Sequence, residues 1–278
     1  MTHVEVAGDA ARVARFLRGL SAFRVRPSDV FISSYPRSGT TWLQHITHAL
    51  RSGRDLGFGH IGEVVPWFER QLALGRCSAA DFERLPSPRV FKSHLPRAWL
   101  PRGARYLYVA RDGRDVATSY FHFYRSHLAF DGSFDEFFDR FLRGRLQYGS
   151  WFKHVAGWQS SWSDPNQLDL DYQQLSAALP AELERIASFL RVSISSRERV
   201  ALEAHCSFAF MKRHEHKFDH AAGEPNAQAA AAGRFIRNGQ SGGFTELFGA
   251  MHERRFREQL AAPIRLPSLE LRLSAFLH

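Results

Sequence analysis

Lys92 and His94 stand two residues apart in Val90-Phe-Lys-Ser-His-Leu-Pro96, a short apolar run ending in polar residues. In an extended chain both side chains leave the same face. A cation and an imidazole so placed point to chemistry. A second group, Tyr35-Pro-Arg-Ser-Gly-Thr-Thr-Trp42, follows the apolar run Val30-Phe-Ile-Ser-Ser34 and precedes a stretch with apolar residues at 43, 46, 49 and 50. Strand, glycine-containing turn and helix N-terminus together make an anion cradle. Backbone N–H groups converge there, the helix dipole adds partial positive charge, and Arg37, Ser38, Thr40 and Thr41 supply further donors. A third segment, Tyr106 to Tyr124, reads as a strand running into a helix. Arg111 leaves the strand end and Ser119 lies two turns along the helix, a pair suited to a second phosphate.

The cradle is not that of an ATP or GTP site. That motif needs Gly-x-x-x-x-Gly-Lys-Ser/Thr, with its lysine on the β/γ-phosphates. Here Thr40 follows Gly39, Ser34 stands five residues before Gly39, and the cation has moved into the turn as Arg37.

The elements that must position these groups alternate. Strands are expected near 29–34, 89–93, 105–110 and 167–171, with helices over 41–51, 113–128, 134–144, 149–163, 180–191 and 196–204. Such alternation implies an α/β fold, a parallel sheet with helices on both faces, and ligand sites at the C-terminal ends of the strands. Arg37, His94, Arg111 and Tyr172 all fall just past those ends. At 278 residues one domain spanning 1–278 is expected. Residues 52–88 and 213–234 read as irregular.

The net charge of +9 suits a strongly anionic ligand. Nonspecific nucleic-acid affinity competes with that reading, but no zinc knuckle, RNA-recognition pattern or basic helical stripe supports it. Cys77 and Cys206 lie far apart and point to a reduced compartment without a disulfide framework. Residues 1–20 interleave charge with short apolar residues, unlike a signal peptide or anchor, and no run reaches the roughly 18 apolar residues of a membrane span. A cytoplasmic location is expected.

With its motifs in place, the chain resembles the cytosolic, nucleotide-type sulfotransferases, which move a sulfuryl group from 3′-phosphoadenosine 5′-phosphosulfate (PAPS) to an acceptor. The resemblance runs from Tyr35 to about Phe256, with motifs in the family's order. Tyr35–Trp42 is similar to the 5′-phosphosulfate loop, Lys92-Ser-His94 to the catalytic Lys-Thr-His, and Tyr108–Ser119 to the 3′-phosphate segment. Tyr148–Val155 is similar to the Gly-Ser-Trp helix, Leu168–Tyr172 to the strand ending in Tyr, and Phe235-Ile-Arg-Asn-Gly239 to the late clamp.

The resemblance implies a P-loop-like fold and assigns roles. His94 would be the general base, for which an imidazole near neutral pKa is suited. Lys92 and Arg37 would neutralise the transferring sulfuryl group and the leaving phosphate, in an in-line, loose transfer that needs no metal. Ser38, Gly39, Thr40 and Thr41 would bind the 5′-phosphosulfate. Arg111, Ser119 and Arg237, with the Gly239 N–H, would hold the 3′-phosphate, although Arg111 can also be read as an ion-pair partner of Asp112 or Asp115. Trp42 and Phe208 are candidates to stack on adenine with Tyr172 at its edge; aromatic core is the competing reading. 3′-Phosphoadenosine 5′-phosphate (PAP) would be the product.

Several residues depart from the family pattern. Arg37 replaces the commoner lysine, Asn238 replaces a clamp lysine, and Cys206 replaces a threonine near adenine. The C-terminal dimer motif is reduced to Glu253, so the oligomeric state stays open. His214, His216 and His220 could be read as a metal site, but the segment matches the family's lid and no metal is expected. The expected acceptor is a small phenolic or lipophilic alcohol, because Phe121, Phe123 and Phe134–Phe141 could line an apolar pocket. A carbohydrate, a peptide tyrosine, or a catalytically silent nucleotide-binding protein are the alternatives.

Overall fold

A computed structural model describes residues 3–219, 236, 239 and 241–263. Strands β1 (Val30–Ser33), β2 (Val90–Ser93), β3 (Arg105–Ala110) and β4 (Gln167–Asp171) form a parallel sheet in the order β2-β1-β3-β4. The alternation of side chains along each strand separates two cores. Phe31, Phe91, Tyr106 and Tyr108 face an aromatic core with Phe68, Tyr120 and Phe137. Val30, Ile32, Val90, Leu107 and Val109 face an aliphatic core with Leu43, Ile46 and Leu183. Helices therefore cover both faces, as alternation predicts.

Helix α1 (His3–Ala22) buries Phe16 on the aromatic side and donates from Arg15 Nε to the Ala73 carbonyl at 2.7 Å. Helix α2 (Thr40–Ser52) follows β1 and packs into the aliphatic core. The expectation of an irregular stretch over 52–88 is corrected: it holds α3 (Ile61–Val64), α4 (Phe68–Leu74) and α5 (Ala79–Glu83). These helices are too short to display a period. Capping boxes at His60 and Ser78 start two of them, and Gly75 ends α4.

Helices α6 (Gly113–His127), α7 (Phe134–Leu142) and α8 (Trp151–Gln159) pack on the aromatic side. After β4 come α9 (Tyr172–Ala177), α10 (Leu179–Leu190), α11 (Ser196–Cys206) and α12 (Phe208–Arg213) on the aliphatic side, and α13 (Ala250–Ala261) returns Phe256 to Trp151 and Phe152. The Glu215–Lys217 turn is tied to the 52–60 segment by Lys217 Nζ, which donates to the Phe58 carbonyl at 2.5 Å. Residues 220–235, Arg237 and Asn238 lie outside the described residues, and with them most of the 213–234 segment and of the late clamp.

The sheet has a structural end and a chemical end. Before β1 and β2, the fully buried Arg89 and Asp29 form a two-pronged ion pair, Nε–Oδ1 2.8 Å and Nη2–Oδ2 2.6 Å. Past the opposite ends lie Ser34, His94, Arg111 and Tyr172.

Candidate functional site

The turn from β1 into α2 is built to expose N–H groups. Gly39 is the N-cap of α2 at φ 99°, and no side chain caps the helix. A Cβ on Gly39 would meet the Tyr172 ring at 2.6 Å, so both backbone conformation and space require glycine. Arg37 also adopts positive φ, 67°. Ser38 Oγ is buried and has no hydrogen-bond partner among the described residues, while Thr40 Oγ1 pairs with Ser34 Oγ. An orphaned hydroxyl beside uncapped N–H groups fits a bound oxyanion.

Two guanidiniums converge on this turn. Arg37 Nε donates to Ser119 Oγ at 3.3 Å, and its guanidinium lies 5.1 Å from the centre of the Phe123 ring. Arg111 Nη1 donates to the Arg37 carbonyl at 3.0 Å and its guanidinium sits 4.4 Å over the Tyr172 ring. Burial first, and Arg111 second, push the Arg37 pKa down to about 10. It remains charged at neutral pH. Asp112 binds Arg114 and also feels the charge of Arg111, while Asp115 accepts the Gly242 and Phe244 N–H groups at 2.9 and 3.1 Å.

His94 reaches back to the same turn. Its Nδ1 lies 2.8 Å from the Ser34 carbonyl. A carbonyl only accepts, so Nδ1 carries the proton and Nε2 keeps its lone pair. Burial, reinforced by Lys92, holds the His94 pKa well below its ordinary value. Lys92 is buried too, its ammonium 3.7 Å from the centre of the Trp67 ring, and burial drives its pKa well below the usual lysine range. The His94 ring contacts the rings of Trp67 and Tyr148, each at 5.1 Å.

The predicted adenine residues also meet. Trp42 and Tyr172 lie edge to face at 5.8 Å, and Tyr172 Oη donates to the Gly239 carbonyl at 3.1 Å. A Cβ on Gly239 would collide with the Phe208 ring. Cys206 contributes its carbonyl, which accepts from Trp42 Nε1 at 2.6 Å, while burial pushes its thiol up to about 12.

Most of the phenylalanines expected as pocket walls belong to the aromatic core. Phe137, Phe138 and Phe141 are wholly buried, Phe121 packs with them, and Phe123 lies beside Arg37. The rings at the reactive pair are Trp67 and Tyr148. Beside Trp67 opens a cleft of about 430 Å³, bounded by His60, Arg70, Gln71, Cys77 and Asp219 among others.

Residues 27–263 match the family model described as the sulfotransferase domain. The chain belongs to the sulfotransferase family. Human "Sulfotransferase 4A1" is 36% identical over 209 residues, covering 70% of this chain and 72% of that protein. Dog "Sulfotransferase 1A1" is 30% identical over 253 residues, covering 87% and 85%. Among solved structures, mouse sulfotransferase SULT7A1 complexed with PAP has a TM-score of 0.70 at 26% identity, covering 90% and 88% of the two chains. Retinol dehydratase in complex with androsterone and inactive cofactor PAP shares the fold, with a TM-score of 0.73 at 24% identity, covering 91% and 88%.

Motif reading of this family member missed two residues. Glu69, wholly buried, accepts the His94 N–H and the Trp67 indole N–H, both at 2.7 Å. His154 lies 3.1 Å through Nε2 from the His94 carbonyl and 3.3 Å through Nδ1 from Tyr108 Oη, so Nε2–H donates and Nδ1 accepts. Burial lowers its pKa to about 4. A glutamate within an apolar run, Val64-Val-Pro-Trp-Phe-Glu69, was the one available signal for the first. The second sat unread inside the Gly-Ser-Trp segment. Among the described residues no group of three or more His, Cys, Asp or Glu could hold a metal ion, and no helix is long and apolar enough to cross a membrane.

Proposed function

We propose that this chain transfers a sulfuryl group from PAPS to the hydroxyl of a small phenolic or lipophilic alcohol. The observation that carries the reading is the bond from His94 Nδ1–H to the Ser34 carbonyl. It ties an imidazole with a free Nε2 lone pair to the first residue of an oxyanion-binding turn. PAPS supplies the activated sulfuryl group, and PAP departs.

His94 Nε2 takes the acceptor proton as the acceptor oxygen bonds to sulfur. Lys92 and Arg37 stabilise negative charge on the phosphate side as the old S–O bond breaks. Ser38, Thr40, Thr41 and the N–H groups at the start of α2 hold the 5′-phosphosulfate. Arg111, Ser119, Arg237 and the Gly239 N–H hold the 3′-phosphate, the neutral Asn238 lending no charge. Trp42, Tyr172 and Phe208 form the adenine side. The fixed charge of Arg37 suits a leaving group that needs charge stabilisation more than a proton. Trp67 and Tyr148, whose rings lie 5.1 Å from that of His94, are the aromatic groups that would flank a phenolic ring. The charged residues Glu63, Arg70 and Asp219 on the adjoining cleft support, as a second reading, an acceptor with a polar extension such as a carbohydrate or a peptide tyrosine.

The test is release of PAP from PAPS in the presence of a panel of phenols, steroid alcohols, sugars and tyrosine peptides. Acceptor-dependent release lost in His94→Ala supports the reading. Absence of release with every acceptor, in protein shown to bind PAP, replaces it with a silent nucleotide-binding protein.

A further inference from the structure

Backbone register brings a carboxylate to the reactive pair. Trp67 pairs with Lys92 as an isolated parallel bridge, and Lys92 N–H donates to the Pro66 carbonyl at 2.9 Å. Two residues further along each chain, Glu69 therefore reaches the His94 N–H. The Glu69 side chain is wholly buried. Its Oε1 takes the His94 and Trp67 N–H groups, and the Ser93 hydroxyl and its own backbone N–H bear on the carboxylate as well.

A carboxylate with both oxygens out of water is costly unless a cation compensates it. Burial raises the Glu69 pKa, and the Lys92 ammonium, 3.7 Å from the centre of the Trp67 ring that Glu69 also holds, faces it. We propose that Glu69 is a positioning residue of the transfer site: one oxygen sets the His94 backbone and the Trp67 ring, and the charge is the counter-ion of the Lys92 ammonium. The proposal rests on the sulfuryl-transfer reading for its role in turnover, but its geometry stands apart from it.

The charges facing Lys92 make the sign clear. Glu69 of α4 favours its charged form, while burial, Arg70 of the same helix and Arg37 of the phosphate turn oppose it. His60 and His94 face the ammonium as well, each held toward its neutral form by it. Glu69 is the one negative group in this set. Without it Lys92 would lose its proton at lower pH and could no longer neutralise a departing phosphate.

Glu69→Gln separates the two roles, because the amide oxygen can still accept both N–H groups. NMR titration of isotopically labelled lysine, assigned with Lys92→Met, should show Lys92 deprotonating about one pH unit or more lower in Glu69→Gln than in the parent. The alkaline limb of kcat should move down with it. Glu69→Asp keeps the charge but withdraws the reach. It should move the His94 amide proton upfield and lower kcat about tenfold or more, with Lys92 titrating close to its parent value.

A Lys92 titration unchanged in Glu69→Gln, in protein whose thermal unfolding matches the parent, overturns the counter-ion role. A His94 amide unmoved in Glu69→Asp overturns the positioning role. Both readouts work without turnover. A parent protein that fails to bind PAP or release it from PAPS therefore counts against the sulfuryl-transfer reading and leaves the Glu69 result to be judged separately.

Discussion

His94 owes its tautomer to one carbonyl, Ser34, and its neutrality to burial beside Lys92. Truncation to alanine removes the base and leaves the phosphate turn intact. His94→Ala should therefore lower kcat by 10² or more while PAP affinity, read by calorimetry, changes less than about threefold. The neutral imidazole is the active form, so activity rises with pH through the His94 pKa, which lies well below the ordinary value; the charged Lys92 is the active form, so activity falls as pH passes its lowered pKa. A kcat profile measured on the parent should be a bell displaced to the acid side of unperturbed His and Lys. Gly39→Ala puts a Cβ 2.6 Å from Tyr172 at φ 99°. It should cost about 1–2 kcal/mol of stability in urea unfolding and at least tenfold in PAP affinity. Arg37, Lys92 and His94 were legible in the sequence because each is a charged or imidazole residue at the end of an apolar run. Glu69 was not, because its partners are backbone and indole N–H groups that only the pairing of Trp67 with Lys92 brings near.

At the level of elements, β1 to β3 fall where their β-branched and aromatic runs put them and β4 where Leu168 and Leu170 alternate with Asp, each within one residue of the expected bounds at either end. The longer helices announce themselves through start signals the structure uses, such as the capping boxes Ser133–Glu136 and Ser195–Glu198. The short helices of 52–88 were illegible for want of period, and α13 because of its twelve residues Phe256 alone is buried. The Arg89–Asp29 pair closes the end of the sheet away from the site. Each charge is wholly buried, so Arg89→Ala leaves Asp29 without compensation inside the fold. We expect a loss of about 3–5 kcal/mol in urea unfolding, with PAP affinity retained in whatever fraction remains folded.

Across the whole molecule, buried neutral histidines set an acid limit. His45 and His154 are enclosed, and burial lowers both pKa values to about 4. In the unfolded chain each titrates near 6.5. Between these values the unfolded state binds more protons, so stability is complete above about pH 6.5 and falls as pH drops toward 4. Each histidine contributes at most on the order of 3 kcal/mol to that fall. Urea midpoints at a series of pH values should decline over this window, and His154→Gln should flatten part of the decline.

Arg37, Lys92 and Arg111 stand where the strands end, in a chain of net charge +9. That end of the sheet should hold a 3′,5′-bisphosphorylated adenosine. Calorimetric titration with PAP, with ATP and magnesium as the control, asks this directly. Micromolar or tighter binding of PAP with ATP at least tenfold weaker is the predicted result. Equal or preferred binding of ATP, or no binding of PAP, would contradict it.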